Sequence, residues 1–268
     1  MEYTWKDHTF AVCACGESRY LAECIRSLMR QTVRSRIILC TSTPNKMIEK
    51  LSEENGLQLY IRHGESGMAP DWNFAYEMSD TPLVTLAHQD DIYEPLFLEE
   101  TLARIRTERK PLIAFTDYFE LRGDRRVYAD GNRNLRIKEW MLLPLRRASL
   151  AESRFVRRRI LSLGSPVCCP SVTYVKEALP EKIFQPHFQA DLDWQAWERL
   201  SRLTGSFCYI PKALMGHRIH RESATTRVIG AHRNRSQEDL EMFRAFWPEG
   251  IARVLNHFYA AGQDQNDL

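Results

Sequence analysis

PLVTLAHQDDIYEP, residues 82–95, is the stretch whose reading decides the fold. Leu83, Val84, Thr85, Leu86 and Ala87 form an unbroken apolar and β-branched run, the pattern of a buried strand. The run stops at His88, Gln89, Asp90 and Asp91. Two adjacent carboxylates at a strand end repel one another unless a cation or water relieves them. In open α/β sheets, ligands bind at the carboxyl ends of strands. Paired oxygen donors there suit Mg²⁺ or Mn²⁺, bridging to substrate phosphates. A solvated acidic loop that caps the next helix is the plainer alternative.

Working outward, the same punctuation recurs. Apolar runs at 9–15, 37–40, 57–61 and 112–116 read as strands. Between them lie helical patterns. Leu21, Cys24, Ile25 and Leu28 share one face, with Ser18 as a candidate N-cap. Met47, Ile48 and Leu51 share another, with Pro44 in the first turn and Asn55-Gly56 as the stop. Residues 70–78 and 94–109 read as further helices. Alternating strands and helices joined by short loops predict an α/β fold with a mostly parallel sheet covered on both faces. Neither G-x-G-x-x-G after the first strand nor G-x-x-x-x-G-K-[ST] anywhere is present, which demotes dinucleotide and P-loop chemistry.

Composition bounds the class. The 268 residues are 44% hydrophobic and 27% charged with a formal net charge of +2, so a buried core is expected and nothing calls for nucleic acid. Seven cysteines, mostly within apolar runs, read as free thiols of a reducing compartment, and their spacing lacks the paired C-x-x-C of zinc sites. The first residues show no apolar leader, and no apolar run is long enough to span a bilayer. The chain is therefore expected in the cytoplasm.

Residues 122–159 break the alternation with eleven Arg and one Lys against four acidic residues. They are a solvated basic face, a contact to the inner face of a membrane through Arg154, Arg157, Arg158 and Arg159, or a contact to an anionic acceptor. Helical patterns follow at 135–145 and 155–163, then a short strand at 171–175. DLDWQAWERL, residues 191–200, opens another helix, followed by a strand at 207–210. Asp191 and Asp193 cannot share one helical face, so at most one points into a cleft. N-capping is the economical role for Asp191. HRIHRES, residues 217–223, concentrates imidazole and guanidinium. Residues 233–247 and 251–261 read as terminal helices.

Taken together, four stretches resemble the family 2 glycosyltransferases of the GT-A fold. AVCACGESRYLAECIRSL (11–28) is similar to that family's first strand, nucleotide-contacting loop and helix. APDWNFAYEMSDTPLVTLAHQDDIYEP (69–95) is similar to its central helix, strand and D-x-D region. DWQAWERL (193–200) is similar to its E-D-x-x-x-W helix, and YIPKALMGHRIHRESAT (209–225) to its strand followed by R-x-H-x-x-S. The order and spacing match across about residues 9–225. There are departures. His88 stands where the first Asp of D-x-D is usual, Thr41-Ser42-Thr43 replaces an Asp-rich loop, Leu192 replaces a Glu, and residues 13–16 replace P-T-Y-N.

The resemblance implies an inverting, metal-dependent transferase that moves a sugar from a nucleotide-sugar donor, UDP-sugar favoured, to a hydroxyl of a glycan, polysaccharide or lipid-linked acceptor. It implies Asp193 as catalytic base and Mn²⁺ or Mg²⁺ held by Asp90, Asp91 and His220. Donor contacts are implied for Ala14, Cys15, Glu17, Thr41, Asp71, Asn73, Gln89, Asp90 and Arg218. Helix capping is the plainer role for Asp71. Asp117, just after a strand, is a candidate sugar or acceptor contact. The expected organisation is a nucleotide-sugar half at 1–121, an acceptor and catalytic half at 122–225 of the same domain, and C-terminal helices at 226–268. The alternatives are a sugar-nucleotide nucleotidyltransferase and a nucleotide-binding module without catalysis.

Overall fold

The computed structural model describes residues 3–220 and 232–264. Residues 221–225 of the last quoted stretch lie outside them. Four strands, β1 (His8–Ala14), β2 (Arg36–Thr41), β3 (Gln58–Ile61) and β4 (Leu83–His88), pair in parallel in the order β3-β2-β1-β4. They are connected by α1 (Leu21–Met29), α2 (Lys46–Glu54) and α3 (Met68–Met78). Phe10, Val12 and Ala14 of β1 face one buried cluster and Ala11 faces the other, so the strand is apolar on both sides. The chain goes from β1 outward to β3, then returns to place β4 on β1's other side. The strand order therefore reverses between β1 and β4, the position where open α/β sheets bind ligands.

The sheet continues through both expected halves. After the short β5 (Ile92–Tyr93) and α4 (Phe97–Arg106) come β6 (Pro111–Arg122), β7 (Arg125–Val127), β8 (Val172–Val175) and β9 (Ser206–Ile219). β8 inserts antiparallel between β4 and β6, and β9 runs parallel to β6. β6 and β9 are much longer than the apolar runs at 112–116 and 207–210. Their outer halves carry Glu120, His217 and Arg218, and ladder pairing rather than hydrophobicity holds those residues extended. The expected helix at 94–109 is shorter, because Ile92 and Tyr93 pair with β9 and the chain turns before Phe97.

Helix α5 (Arg133–Leu142) is followed by a 3₁₀ turn, α6 (Ala148–Glu152) and α7 (Arg154–Leu161). α8 (Leu192–Ser201), α9 (His232–Arg244) and α10 (Glu249–Asp264) complete the molecule. α8 is fixed by Trp194 and Trp197, both fully buried; their indole N–H groups donate to the carbonyls of Leu161 at 2.9 Å and Val167 at 3.3 Å. Burying an aromatic of this size contributes about 1.5–3 kcal/mol.

Two sequence expectations are corrected here. Pro44 precedes α2, and its start is made by Asn45, whose side chain accepts from the N–H groups of Met47 and Ile48. Ser18 is not the N-cap of α1; Tyr20 holds that position without a side-chain cap bond. All seven cysteines are free: Cys24, Cys40, Cys169 and Cys208 are buried, Cys13 and Cys168 are half-buried, and Cys15 is exposed. Among the described residues no helix is long and apolar enough to cross a membrane, and no group of three or more metal-ligating side chains converges.

Candidate active site

At the reversal between β1 and β4, the Gln89 side chain joins the two strand ends. Its Oε1 accepts from the Cys15 N–H at 3.0 Å and its Nε2 donates to the Cys15 carbonyl at 2.9 Å. Gly16 follows with φ 61°, a left-handed conformation that a side chain would strain. Its N–H donates to Thr43 Oγ1 at 2.7 Å, and Asn45 Nδ2 donates to its carbonyl at 3.0 Å. Thr41 Oγ1 accepts from the Thr43 N–H at 3.0 Å. Thus the 15–17 loop and the 41–45 loop are tied together. Ala14 is buried at the end of β1, and Glu17 is exposed.

Asp90 and Asp91, neighbours in sequence, have different fates. Asp90 Oδ2 lies 2.8 Å from His220 Nε2, and its side chain is 20% exposed. Asp91 is fully buried. It was expected beside Asp90 at a cation. Instead its Oδ1 accepts from the Arg218 N–H at 2.9 Å and stands 3.1 Å from His217 Nδ1. Burial opposes charge on the His217 ring, but the Asp91 carboxylate overrides it and holds the ring's pKa above its ordinary value. Asp91 therefore pins the end of β9 to the end of β4.

Arg218 is nearly buried. Its Nη2 pairs with Glu23 Oε2 at 2.7 Å, its Nε donates to the Asp90 carbonyl at 2.8 Å, and its guanidinium lies 4.3 Å from the Tyr20 ring centroid. Tyr20 also packs on His220, centroids 4.9 Å apart. The start of α1 thus helps place Arg218 of β9 and His220 just beyond it. Glu23 and Tyr20 carried no signal in sequence, because their partners lie almost two hundred residues away.

The neighbouring donor candidates also knit the scaffold. Asp71, in the first turn of α3, accepts from Arg62 Nε at 2.7 Å, Ser42 Oγ at 2.9 Å, Ser66 Oγ at 3.1 Å and the Gly67 N–H at 3.1 Å. Asn73 accepts from the N–H groups of Ile183 and Phe184 at 3.0 Å and donates to the Phe184 carbonyl at 2.8 Å, which spends its amide on backbone. His88 stacks on Trp72, centroids 4.6 Å apart, and burial lowers its pKa to about 4, so the ring is neutral at pH 7. A neutral ring thus stands where a carboxylate was expected.

The second half of the site is the start of α8. Asp193 lies in the first turn, and its Oδ1 accepts from the Trp194 N–H at 2.6 Å. Burial raises its pKa to about 6, against the pull of that N–H and of the Lys138 ammonium. Lys138 of α5 donates to Tyr118 OH at 2.9 Å. Asp191 occupies the N-cap position but makes no cap bond. Glu238 of α9 holds the turn before α8, its carboxylate accepting from the N–H groups of Gln189, Ala190 and Asp191 at 2.7–3.0 Å. Asp191 instead faces the Asp239 carboxyl, and burial followed by that second carboxyl pushes its pKa well above the usual range. Arg235 faces Asp191, Asp193 and Asp239 electrostatically.

Asp117 on β6 is buried, with both oxygens 2.8 Å from Tyr209 OH; burial raises its pKa to about 7 despite that hydroxyl. A cavity of about 680 Å³ lies elsewhere, lined by Gln195, Glu198, Arg199 and Met242 among others, and includes none of the residues above. The basic segment is less free than its sequence implied. Arg157, expected at a surface, is 1% exposed and donates to the carbonyls of Ser201, Leu203 and Gly205. Arg158 pairs with Glu198 at 2.5 Å.

The mostly parallel sheet flanked by helices, with its strand order reversing between β1 and β4, has the architecture of the GT-A glycosyltransferases. The chain belongs to glycosyl transferase family 2, whose model matches residues 9–176. That membership sets aside the nucleotidyltransferase alternative. No curated protein sequence matches. Among solved structures, S. aureus TarS 1-349 in complex with UDP-GlcNAc is similar with a TM-score of 0.61 at 12% identity, over 93% of this chain and 70% of that one. The mannosyltransferase from Pyrobaculum calidifontis in complex with GDP-Man and Mn²⁺ has a TM-score of 0.59 at 11% identity, over 95% and 70%. Glucosyl-3-phosphoglycerate synthase from Mycobacterium tuberculosis, in complex with Mn²⁺ and UDP-Glc, has a TM-score of 0.55 at 16% identity, over 91% and 80%. These likenesses establish the fold.

Proposed function

We propose that the protein transfers a sugar from a nucleotide-sugar donor, UDP-sugar favoured, to a hydroxyl of a saccharide or lipid-linked acceptor, with inversion and with a divalent cation. The observation that carries this reading is the meeting of Asp90 Oδ2 and His220 Nε2 at 2.8 Å beside the β1–β4 reversal. Two converging donors fit Mn²⁺ or Mg²⁺, which a site of this kind holds together with substrate phosphates and water. When bound, the cation neutralises charge developing on the diphosphate leaving group.

In this reading, the 15–17 and 41–45 loops receive the nucleoside, and Gln89 fixes the Cys15 backbone against β4. Asp91, Arg218, Asp71 and Asn73 serve by holding the strand ends and loops in place. Asp193 takes the proton of the acceptor hydroxyl as its oxygen attacks the anomeric carbon and the nucleoside diphosphate departs from the opposite face. The proton ends on Asp193. A pKa of about 6 leaves it ionised at neutral pH yet basic enough to act. The related complexes with UDP-GlcNAc, GDP-Man and UDP-Glc support a nucleotide-sugar donor.

Titration calorimetry of UDP and GDP with and without Mn²⁺ tests the cation site. Wild type should bind more tightly with Mn²⁺, and Asp90→Asn should lose that enhancement. Undiminished metal-dependent binding in Asp90→Asn overturns the assignment.

A further inference from the structure

Helices α5 and α10 each turn one face towards the base and another outward. Inward, Lys138 of α5 lies within electrostatic reach of Asp193, and Tyr259 of α10 packs on Trp194 with centroids 5.8 Å apart. Outward, Arg133, Arg136, Ile137 and Trp140 recur at i, i+3, i+4 and i+7, which is one helical face. Trp140 on that face is 68% exposed. On α10, Ile251, Val254 and Phe258 form a second exposed stripe, with Phe258 70% exposed. α7 lies against the corner before α10. Its Arg158 donates to the Ala245 carbonyl at 3.0 Å, and the Trp247 indole donates to the Ser162 carbonyl at 2.8 Å, fastening α7 to the corner between α9 and α10. α7 leaves Phe155 71% exposed beside Arg154 and Arg159.

Large apolar side chains left in water on three neighbouring helices mark an interaction surface. The interleaved arginines select the partner. A surface that offers phosphate charge at its face and hydrocarbon just beneath satisfies both residue types at once. We infer that the outward faces of α5, α7 and α10 dock on an anionic lipid bilayer. Trp140, Phe155 and Phe258 enter the headgroup boundary, and Arg133, Arg136, Arg154 and Arg159 meet lipid phosphates. The inference rests on this surface and not on the transferase reading.

Flotation of the full chain with phosphatidylcholine vesicles, with and without phosphatidylglycerol, tests it. The protein should float with the anionic vesicles at low salt, and at least about tenfold less with neutral vesicles or at ~1 M salt. The double variant Trp140→Glu with Phe258→Glu should bind about tenfold more weakly while keeping its melting temperature and its thermal shift with UDP and Mn²⁺. Wild type that stays at the bottom of the gradient with anionic vesicles at low salt overturns the inference. So does a double variant that floats like wild type, or a wild-type dimer in sedimentation that the double variant dissociates. Flotation without a nucleotide thermal shift keeps the docking surface and removes the transferase reading instead.

Discussion

The two carboxylate pairs, Asp90 with Asp91 and Asp191 with Asp193, look alike in sequence and are solved in opposite ways. In each, one member is spent on structure and the other is the one proposed for the chemistry. Asp91 meets donors, the Arg218 N–H and the His217 ring. Asp191 meets a third carboxyl, Asp239, and burial together with that carboxyl raises its pKa. Two acidic residues close in sequence therefore say nothing about their charge. What decides it is whether the fold brings donors or another acid to the inner one.

The comparison is broken most sharply at Asp193. Asp193→Asn should lower kcat by about 10²–10⁴ and leave nucleotide binding and melting temperature in place. In wild type, kcat should rise as pH climbs through about 6, where Asp193 loses its proton. Equal turnover in the variant would move the base to another residue, with Asp117 next to be examined.

Next in size is Asp91→Ala. It strips the acceptor from a buried N–H and a partly buried ring, so urea unfolding should register a loss of about 3 kcal/mol. Asp191→Asn should behave differently, because the Asp191 side chain makes no cap bond and the turn before α8 is held by Glu238. A stability loss at Asp191 as large as that at Asp91 would erase the distinction.

A smaller effect is the pH dependence of stability. Burial gives Asp117 a folded pKa of about 7 and Asp193 about 6, and raises Asp191 and Asp239 as well. Each binds its proton more tightly folded than unfolded, where a carboxyl titrates at about 3.9. The stabilisation is complete below that value and is lost as pH rises through the folded pKa values. The melting temperature should fall between pH 6 and 8, and Asp117→Asn should flatten that fall. An unchanged slope in that variant would show that Asp117 does not set it.

The smallest expected effect belongs to Glu238→Gln. It weakens the bonds to the N–H groups of residues 189–191, and scanning calorimetry should find a cost of about 1 kcal/mol. A cost near zero would show that the turn before α8 is held by packing alone.

The sequence by itself determined the sheet and its punctuation. Apolar runs at β1, β2 and β4 and the face formed by Leu21, Cys24, Ile25 and Leu28 followed from local periodicity, because strand and helix burial repeat over a few residues. It also placed Asp90 at a strand end and Asp193 in the first turn of a helix, since both are local facts. Only the tertiary structure decided which carboxylates are spent. The Asp91–Arg218 contact spans 127 residues and the Glu238 cap spans 47–49, and no local pattern records partners at that range. Arg157 is the clearest case. A run of arginines reads as a solvated face until the chain supplies the carbonyls of Ser201, Leu203 and Gly205, which accept from the buried Arg157 guanidinium.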